Sequence, residues 1–259
     1  MQNLDVVFSD DWIIVLFFIL GALLHGITGF GYPIVGTAII ASFYPLKVAV
    51  AMVVVPCVVL NLMMLRSGGT IINNITQYGK EYFWLFFTSF LGGLLGVQFL
   101  LVVPESYLKI FLAITLLFYV YTQYSRHRIY FTHDNKTMAI FGFIAGVVGG
   151  ATNAIVAFLM IYLLGTKRNK NEMVIVNNLS ILITKIIQIF VLFPVITTFD
   201  AKQKWLLLTV IVISLFFVYF GSQIRHRLPQ TVFNHMIAVM LFCLGLYALW
   251  QGVHALGST

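Results

Sequence analysis

Long apolar runs constrain this chain more than any other feature. The sequence holds eight of them, uncharged or nearly so, at 12–43, 48–65, 82–103, 107–124, 138–164, 173–198, 205–224 and 232–250. Most match the roughly 20 residues that a helix needs to cross a hydrocarbon layer of about 30 Å. Hydrophobic residues make up 61% of the chain and charged residues only 9%, which is too little charge for the surface of a soluble domain. We therefore predict an all-α integral membrane protein.

The positive charges lie in the short breaks between the apolar runs. The formal net charge is +7, and cytoplasmic loops that face anionic lipid headgroups account for it. Since no basic stripe is interleaved with base-stacking aromatic residues, we expect the lipid bilayer, and no nucleic acid, as the partner of this charge. No Asp or Glu lies deep in a run, which argues against a membrane enzyme. Cys57 and Cys243 sit inside runs, and we expect no metal and no cofactor.

The order of the elements repeats along the chain. The first run is broken near its middle by GFGYP at 29–33, and the fifth by GGATN at 149–153. Glycine and proline at such points loosen or end a helix. The third and seventh runs end alike, in G-x-Q at 96–98 and 221–223, each followed after five further residues by a proline, Pro104 and Pro229. Repeated halves with broken helices at matching places are typical of transporters. We predict a single membrane domain made of a first half at 1–125, a cytoplasmic linker at 126–136 and a second half at 137–259.

Two topologies fit this pattern. If every run crosses, the protein has eight spans; if the two broken runs are re-entrant hairpins, each half has three crossings and the second half is inverted. Of the 15 Lys and Arg residues, Lys185 lies inside a run, and eight crossings divide the others evenly between the faces. The hairpin topology leaves only Lys47, Lys109, Lys202 and Lys204 on one face and gathers on the other Arg66, Lys80, Arg126, Arg128, Lys136, Lys167, Arg168, Lys170, Arg225 and Arg227. The positive-inside rule therefore favours hairpins, with both termini outside.

The glycine-rich break in the first run, its echo in the fifth and the G-x-Q ending of the third and seventh resemble the TauE/SafE family of sulfite and organosulfonate exporters. The resemblance covers nearly the whole chain, although Phe30, Tyr32 and Pro33 interrupt the longer glycine run that the family has at its first break. It implies a secondary transporter that exports small sulfur-containing anions. It also implies a coupling proton or sodium ion and a location in the bacterial inner membrane.

Lys185 is the sharpest functional signal in the sequence. It lies at the centre of the run at 173–198, too deep to reach either surface easily. A lysine at the bilayer centre costs about 2.5–3.5 kcal/mol by insertion scales, and such residues usually face a cavity or a partner. An ammonium group at this depth could serve as the counter-charge of a sulfite or sulfonate. The alternative is a structural lysine paired with a carbonyl or a helix C-terminus, and we favour the anion site.

The two breaks are the second candidate. If each run is a hairpin, its second arm begins near the midplane, and a helix N-terminus there attracts anions. Pro33 suits the first turn of such a helix, and we predict Thr152 and Asn153 as N-cap residues of the other. The glycines of both breaks would let the backbone approach a ligand, or else pack helices together; they are Gly29, Gly31, Gly149 and Gly150.

The polar residues of the run at 173–198 form a stripe. Asn177, Ser180, Thr184 and Gln188 follow steps of three and four residues, and therefore share one helix face. Such a stripe lines a path or holds helices together, and both interpretations stay open. His25, near the first break, could relay a proton or bind the anion, or be an ordinary hydrogen-bonded histidine. Likewise, the Tyr32 hydroxyl could donate to an oxyanion, or the ring could only pack.

These arguments lead to one set of candidate residues and one function. The candidate substrate-binding residues are His25, Thr28, Gly29, Gly31, Tyr32, Thr152, Asn153, Asn177, Lys185 and Gln188. We predict a secondary transporter of a small anion with alternating access around a midplane site. An anion channel or pore on the same scaffold is the alternative. A homodimer is one candidate assembly, and the sequence leaves the oligomeric state open.

Overall fold

The computed structural model describes residues 2–41, 43–66, 69–124 and 130–257. Within these ranges every regular element is a helix, which confirms the predicted all-α class. The helices are α1 Gln2–Thr28, α2 Tyr32–Ile40, α3 Leu46–Met64, α4 Ile71–Glu81, α5 Phe83–Val102, α6 Glu105–Tyr124, α7 Asn135–Thr152, α8 Ile155–Gly165, α9 Lys170–Thr197, α10 Ala201–Arg227 and α11 Gln230–Gly257.

Several helices are long and apolar enough to cross a membrane. In the described part of the chain, α3, α5, α9 and α10 meet the requirement by length and composition. Shorter apolar segments lie in α1, α6 and α11. The outer faces are apolar too, since large side chains such as Phe83, Trp84 and Trp205 are exposed. A surface of this kind suits contact with lipid, and the chain is an integral membrane protein.

The first broken run forms two helices that are separated by its glycines. α1 ends at Thr28 and α2 begins at Tyr32, so the predicted break lies where expected. Gly29 and Gly31 have φ angles of 84° and 116°, a backbone region that other residues rarely adopt. Pro33 occupies the first turn of α2, as predicted. With 9 residues, α2 is about 14 Å long and too short to cross the bilayer.

The second broken run also forms two helices, but its capping differs from the prediction. α7 ends at Thr152 and α8 begins at Ile155, with Ala154 as N-cap and no side-chain cap. The predicted N-caps are therefore wrong. Asn153 instead ends α7 with a left-handed φ of 65°, which asparagine tolerates better than most residues. The Thr152 hydroxyl donates to Val148 O at 2.7 Å, back inside α7. With 11 residues, α8 is about 16 Å long and cannot cross either.

Glycines bring two pairs of helices into close contact. A Cβ atom added to Gly146 of α7 would lie 2.2 Å from Ser89 O of α5, and one added to Gly150 would lie 2.5 Å from Gly93 O. α1 and α10 meet in the same way, because a Cβ atom on Gly221 would lie 2.3 Å from the carbonyl oxygen of Leu23. Gly150 thus has the packing role that the sequence left open. α3 also packs against α9, and α6 against α11.

Several loops meet at one end of the helix bundle, which we term the charged end. There the Phe131 N–H donates to Gly165 O at 3.2 Å, so the chain before α7 lies beside the end of α8. The Arg168 guanidinium bonds to Glu81 at 3.2 Å, which adds the end of α4. Lys170 Nζ donates to the carbonyl oxygen that follows α10 at 2.6 Å. The segments around residues 81, 131, 168 and 228 therefore share one end.

Candidate functional site

Lys185 lies in the interior with neutral oxygens around its charge. The residue is 1% exposed, and its Nζ donates to Asn153 Oδ1 and, at 2.7 Å, to Gln188 Oε1. Among the described residues no carboxylate pairs with it. Buried charges in proteins are usually paired with an opposite charge. The two amides therefore leave the charge of Lys185 without a counter-charge among the described residues.

The amides that hold Lys185 join three segments of the chain. Asn153 Nδ2 donates to Thr37 Oγ1 of α2 at 2.7 Å. Gln188 Nε2 donates to Asn153 Oδ1 at 2.9 Å and approaches the carbonyl oxygens of Gly149 and Gly150 at 3.3 and 3.2 Å. We term Thr37, Asn153, Lys185 and Gln188 the lysine site. It lies where α2, the break between α7 and α8, and the middle of α9 meet.

The first break is tied to α9 as well. Asn178 Nδ2 donates to Gly29 O and to Val174 O, both at 2.7 Å. A Cβ atom on Gly29 would lie 2.4 Å from the Val174 side chain. The Thr28 hydroxyl lies 2.7 Å from Leu24 O and 2.5 Å from Phe30 O. Thr28 and Gly29 therefore shape the first break, and α9 is in contact with both breaks.

Tyr32 and His25 form a separate buried group beside α10. The Ser214 hydroxyl donates to the Tyr32 hydroxyl at 3.2 Å, and the rings of Tyr32 and His25 have centroids 6.3 Å apart. His25 is completely buried, and neither ring nitrogen has a hydrogen-bond partner among the described residues. Tyr32 begins α2, the helix that carries Thr37 of the lysine site. This group is therefore a neighbour of the lysine site.

The polar stripe of α9 is buried along its whole length. The hydroxyls of Ser180 and Thr184 donate back to carbonyl oxygens of their own helix, at 2.9 and 3.2 Å. Asn177 instead reaches α8, where its Nδ2 contacts Met160 Sδ at 3.0 Å, while its Oδ1 has no partner among the described residues. In the described part of the chain, the hydrogen bonds from the side chains of the stripe to other helices come from its two ends, Asn177 and Gln188.

The structure brings together part of the predicted set and adds residues that the sequence did not indicate. Asn153, Lys185 and Gln188 touch one another. Gly31 precedes α2 as its N-cap. Thr37 was not predicted, although it follows Pro33 by four residues and therefore shares its helix face. Ser214 carried no signal, because a lone serine in an apolar run is ordinary.

A second cluster of polar side chains lies at the charged end. Arg168 bonds to Glu172 at 3.0 Å, and the Tyr82 hydroxyl donates to the same carboxylate at 2.6 Å. His133 Nδ1 lies 2.6 Å from the Tyr162 hydroxyl. Burial and the Glu172 carboxylate hold the pKa of Tyr82 well above its ordinary value. We term Glu81, Tyr82, His133, Tyr162, Arg168 and Glu172 the charged cluster. The sequence did not single it out.

The comparisons with known proteins support one family. The family model described as sulfite exporter TauE/SafE matches residues 13–248, nearly the whole chain. No curated protein and no solved structure matches the chain significantly. Among the described residues, no group of His, Cys, Asp or Glu has an arrangement that could hold a metal ion. The chain belongs to the sulfite exporter TauE/SafE family.

Proposed function

We propose that this protein is a secondary transporter that exports a small sulfur-containing oxyanion, such as sulfite or a C2 sulfonate. The family is one of membrane exporters of sulfite. The observation that carries the proposal is Lys185, a buried cation whose contacts are neutral oxygens. An oxyanion offers Nζ a full negative charge and several acceptor oxygens, which are worth more than amide oxygens in a site that excludes water.

The arrangement of the loops supports a re-entrant topology. With eight crossings, the ends of α4 and α8 would lie on opposite faces of the membrane. Instead, Arg168, which follows α8, is bonded at 3.2 Å to Glu81, the last residue of α4. α2 and α8 are both too short to cross. Two hairpins that enter the membrane and return, within inverted halves, account for these observations, and they suit alternating access in a bacterial inner membrane.

The coupling ion and the assembly belong to the same proposal. Export against a gradient requires a second ion, and a proton or sodium ion is the candidate. His25 is the candidate for a coupling proton among the described residues, because neither of its ring nitrogens has a hydrogen-bond partner there. A homodimer remains one candidate assembly.

Binding of small anions to the purified protein tests the lysine site. We expect sulfite or a C2 sulfonate to raise the Tm of the wild type, and sulfate and simple carboxylates to raise it less. Lys185→Met keeps the apolar stem and removes the charge, so the shift should vanish. Loss of one charge-assisted hydrogen bond weakens binding by roughly tenfold or more. Equal shifts in the wild type and in Lys185→Met would contradict the assignment of the site.

Flux in proteoliposomes distinguishes a transporter from an anion channel. A transporter gives uptake that saturates with the anion concentration and responds to an imposed proton or sodium gradient. A channel gives flux that rises with concentration and follows the anion's own gradient. The complete burial of the lysine site suits an occluded transporter site, and we expect saturable flux that Lys185→Met abolishes.

A further inference from the structure

The side-chain amide of Asn153 links the cation of the lysine site to the other half of the protein. Its Oδ1 accepts from Lys185 Nζ and from Gln188 Nε2, both on α9. Its Nδ2 donates to Thr37 Oγ1 on α2, in the first half of the chain. Lysine only donates hydrogen bonds, so this orientation of the amide is the one its neighbours require. Because the amide is planar, one rotation of the side chain breaks both contacts together.

An oxyanion and Asn153 compete for the same ammonium group. Hydrogen bonds to a charged acceptor are roughly twice as strong as those to a neutral one. Asn153, Lys185 and Gln188 are each no more than 1% exposed, so an anion fits beside Nζ only if a side chain makes room. Gln188 lies in the middle of α9, and its Nε2 also donates to Gly150 O at 3.2 Å. Asn153 belongs to no helix and sits between α7 and α8, so it is the side chain that can turn away.

We propose that Asn153 is a built-in competitor for the transported anion, and that its displacement releases the contact between the second break and α2. The inference rests on the anion site proposed above and names the residue that couples binding there to movement of the halves. Without the anion, Oδ1 of Asn153 partly neutralises Lys185 and its Nδ2 holds Thr37. With the anion bound, Lys185 has a true counter-ion, the amide turns, and Thr37 loses its donor. The two halves are then free to separate at this point.

Asn153→Asp turns the competitor into a permanent counter-ion. The φ of 65° at this position suits aspartate as it suits asparagine. We expect a higher Tm without anions, because Lys185 gains a charged partner, and weaker sulfite binding by at least roughly tenfold in Kd. The gain in Tm should disappear when Lys185→Met is added. Asn178→Asp is the matched control. It puts a carboxylate on α9, the helix of Lys185, but it removes the two hydrogen bonds that Asn178 Nδ2 donates, so the Tm of this variant should fall.

Thr37→Val tests the link between the halves without touching Lys185. Valine keeps the shape of threonine and removes the acceptor for Asn153 Nδ2. Displacing Asn153 then no longer breaks that hydrogen bond, so sulfite should bind more tightly, by roughly threefold to tenfold. This variant keeps the inference testable even if Asn153→Asp does not fold.

Each measurement can overturn the inference. Sulfite binding of wild-type strength in Asn153→Asp would overturn it. So would a gain in Tm from Asn153→Asp that persists when Lys185→Met is added, and so would an unchanged affinity of Thr37→Val for sulfite. A wild type that binds no anion would overturn the proposed function and this inference together. Binding in the wild type that Asn153→Asp leaves intact would overturn the inference alone, which keeps the two failures distinct.

Discussion

A buried charge and a glycine with a positive φ angle illustrate what single residues reveal. Lys185 could be recognised from the sequence because a lysine at the bilayer centre is costly wherever its partners lie. Its two partners, Asn153 and Gln188, were among the candidate residues, but their contacts with Nζ could not be predicted, since Asn153 is 32 positions away in the chain. Gly29 was predictable as a break but not as a contact, because Val174 reaches it only through the tertiary fold. The sequence therefore shows which residues are costly to bury or to substitute, but the contacts that stabilise them depend on the tertiary fold.

Replacing Gly29 by alanine should destabilise the protein. The φ of 84° strains any residue with a Cβ atom, and that atom would lie 2.4 Å from Val174 Cγ2. We expect a loss of about 2 kcal/mol or more, from backbone strain and overpacking together. Thermal unfolding in detergent measures it. Gly79→Ala is the control, because no atom lies within 4 Å of its added Cβ in α4. An unchanged Tm in Gly29→Ala would show that the break does not require a glycine at this position.

At the scale of the element, α9 organises the site. It carries Lys185 and Gln188 to the second break and Asn178 to the first, so one helix fixes both. The sequence indicated that α9 is polar along one face, and burial bears this out. It also located both breaks, because glycine and proline act locally on the backbone. It failed at the cap of α8, since an asparagine can begin a helix or end one and only the surrounding chain decides which.

The charged cluster should make stability depend on pH through His133. Burial and the Arg168 charge lower the pKa of His133 below its ordinary value of 6.5, and they outweigh the opposing carboxylates of Glu81, Glu172 and Asp134. The folded protein thus binds fewer protons here than the unfolded chain. The neutral histidine contributes its full stability above about pH 6.5, and this contribution is lost as the pH falls below that value.

Thermal unfolding between pH 5 and 8 measures this contribution. We expect the Tm of the wild type to fall towards pH 5 more steeply than that of His133→Gln, which keeps a hydrogen-bonding side chain but does not titrate. His254→Gln is the control, because His254 is exposed on α11 and outside the charged cluster. Parallel pH profiles for the wild type and His133→Gln would contradict the role of His133.

At the scale of the whole molecule, the pairing of helices joins the two halves that the sequence predicts. α7 packs along glycines of α5, and α1 packs along a glycine of α10, so the broken run of each predicted half packs against a helix of the other. The two G-x-Q segments at 96–98 and 221–223 mark these contacts in the sequence, because Gly96 lies against α7 and Gly221 lies against α1. The sequence could not say which helices touch, since helix pairing depends on contacts between distant segments. The two topologies therefore stayed open in the sequence, and the shared charged end favours hairpins.

Labelling of single cysteines decides between the topologies. Lys47, Lys80, Lys167 and Lys202 are exposed and can each be changed to cysteine in a Cys243→Ser background, since Cys57 is buried. Re-entrant hairpins place positions 80 and 167 on one face and positions 47 and 202 on the other. Eight crossings instead pair position 47 with 167 and position 80 with 202.

A membrane-impermeant thiol reagent, applied to intact cells and to inverted vesicles, labels the cysteines of each face separately. We expect positions 80 and 167 to react only in inverted vesicles, because the hairpin topology gathers most of the Lys and Arg residues on their face of the membrane, and that face should be cytoplasmic. Reaction of position 167 together with position 47 would exclude the hairpins, and with them the inverted halves on which the proposed transport mechanism depends.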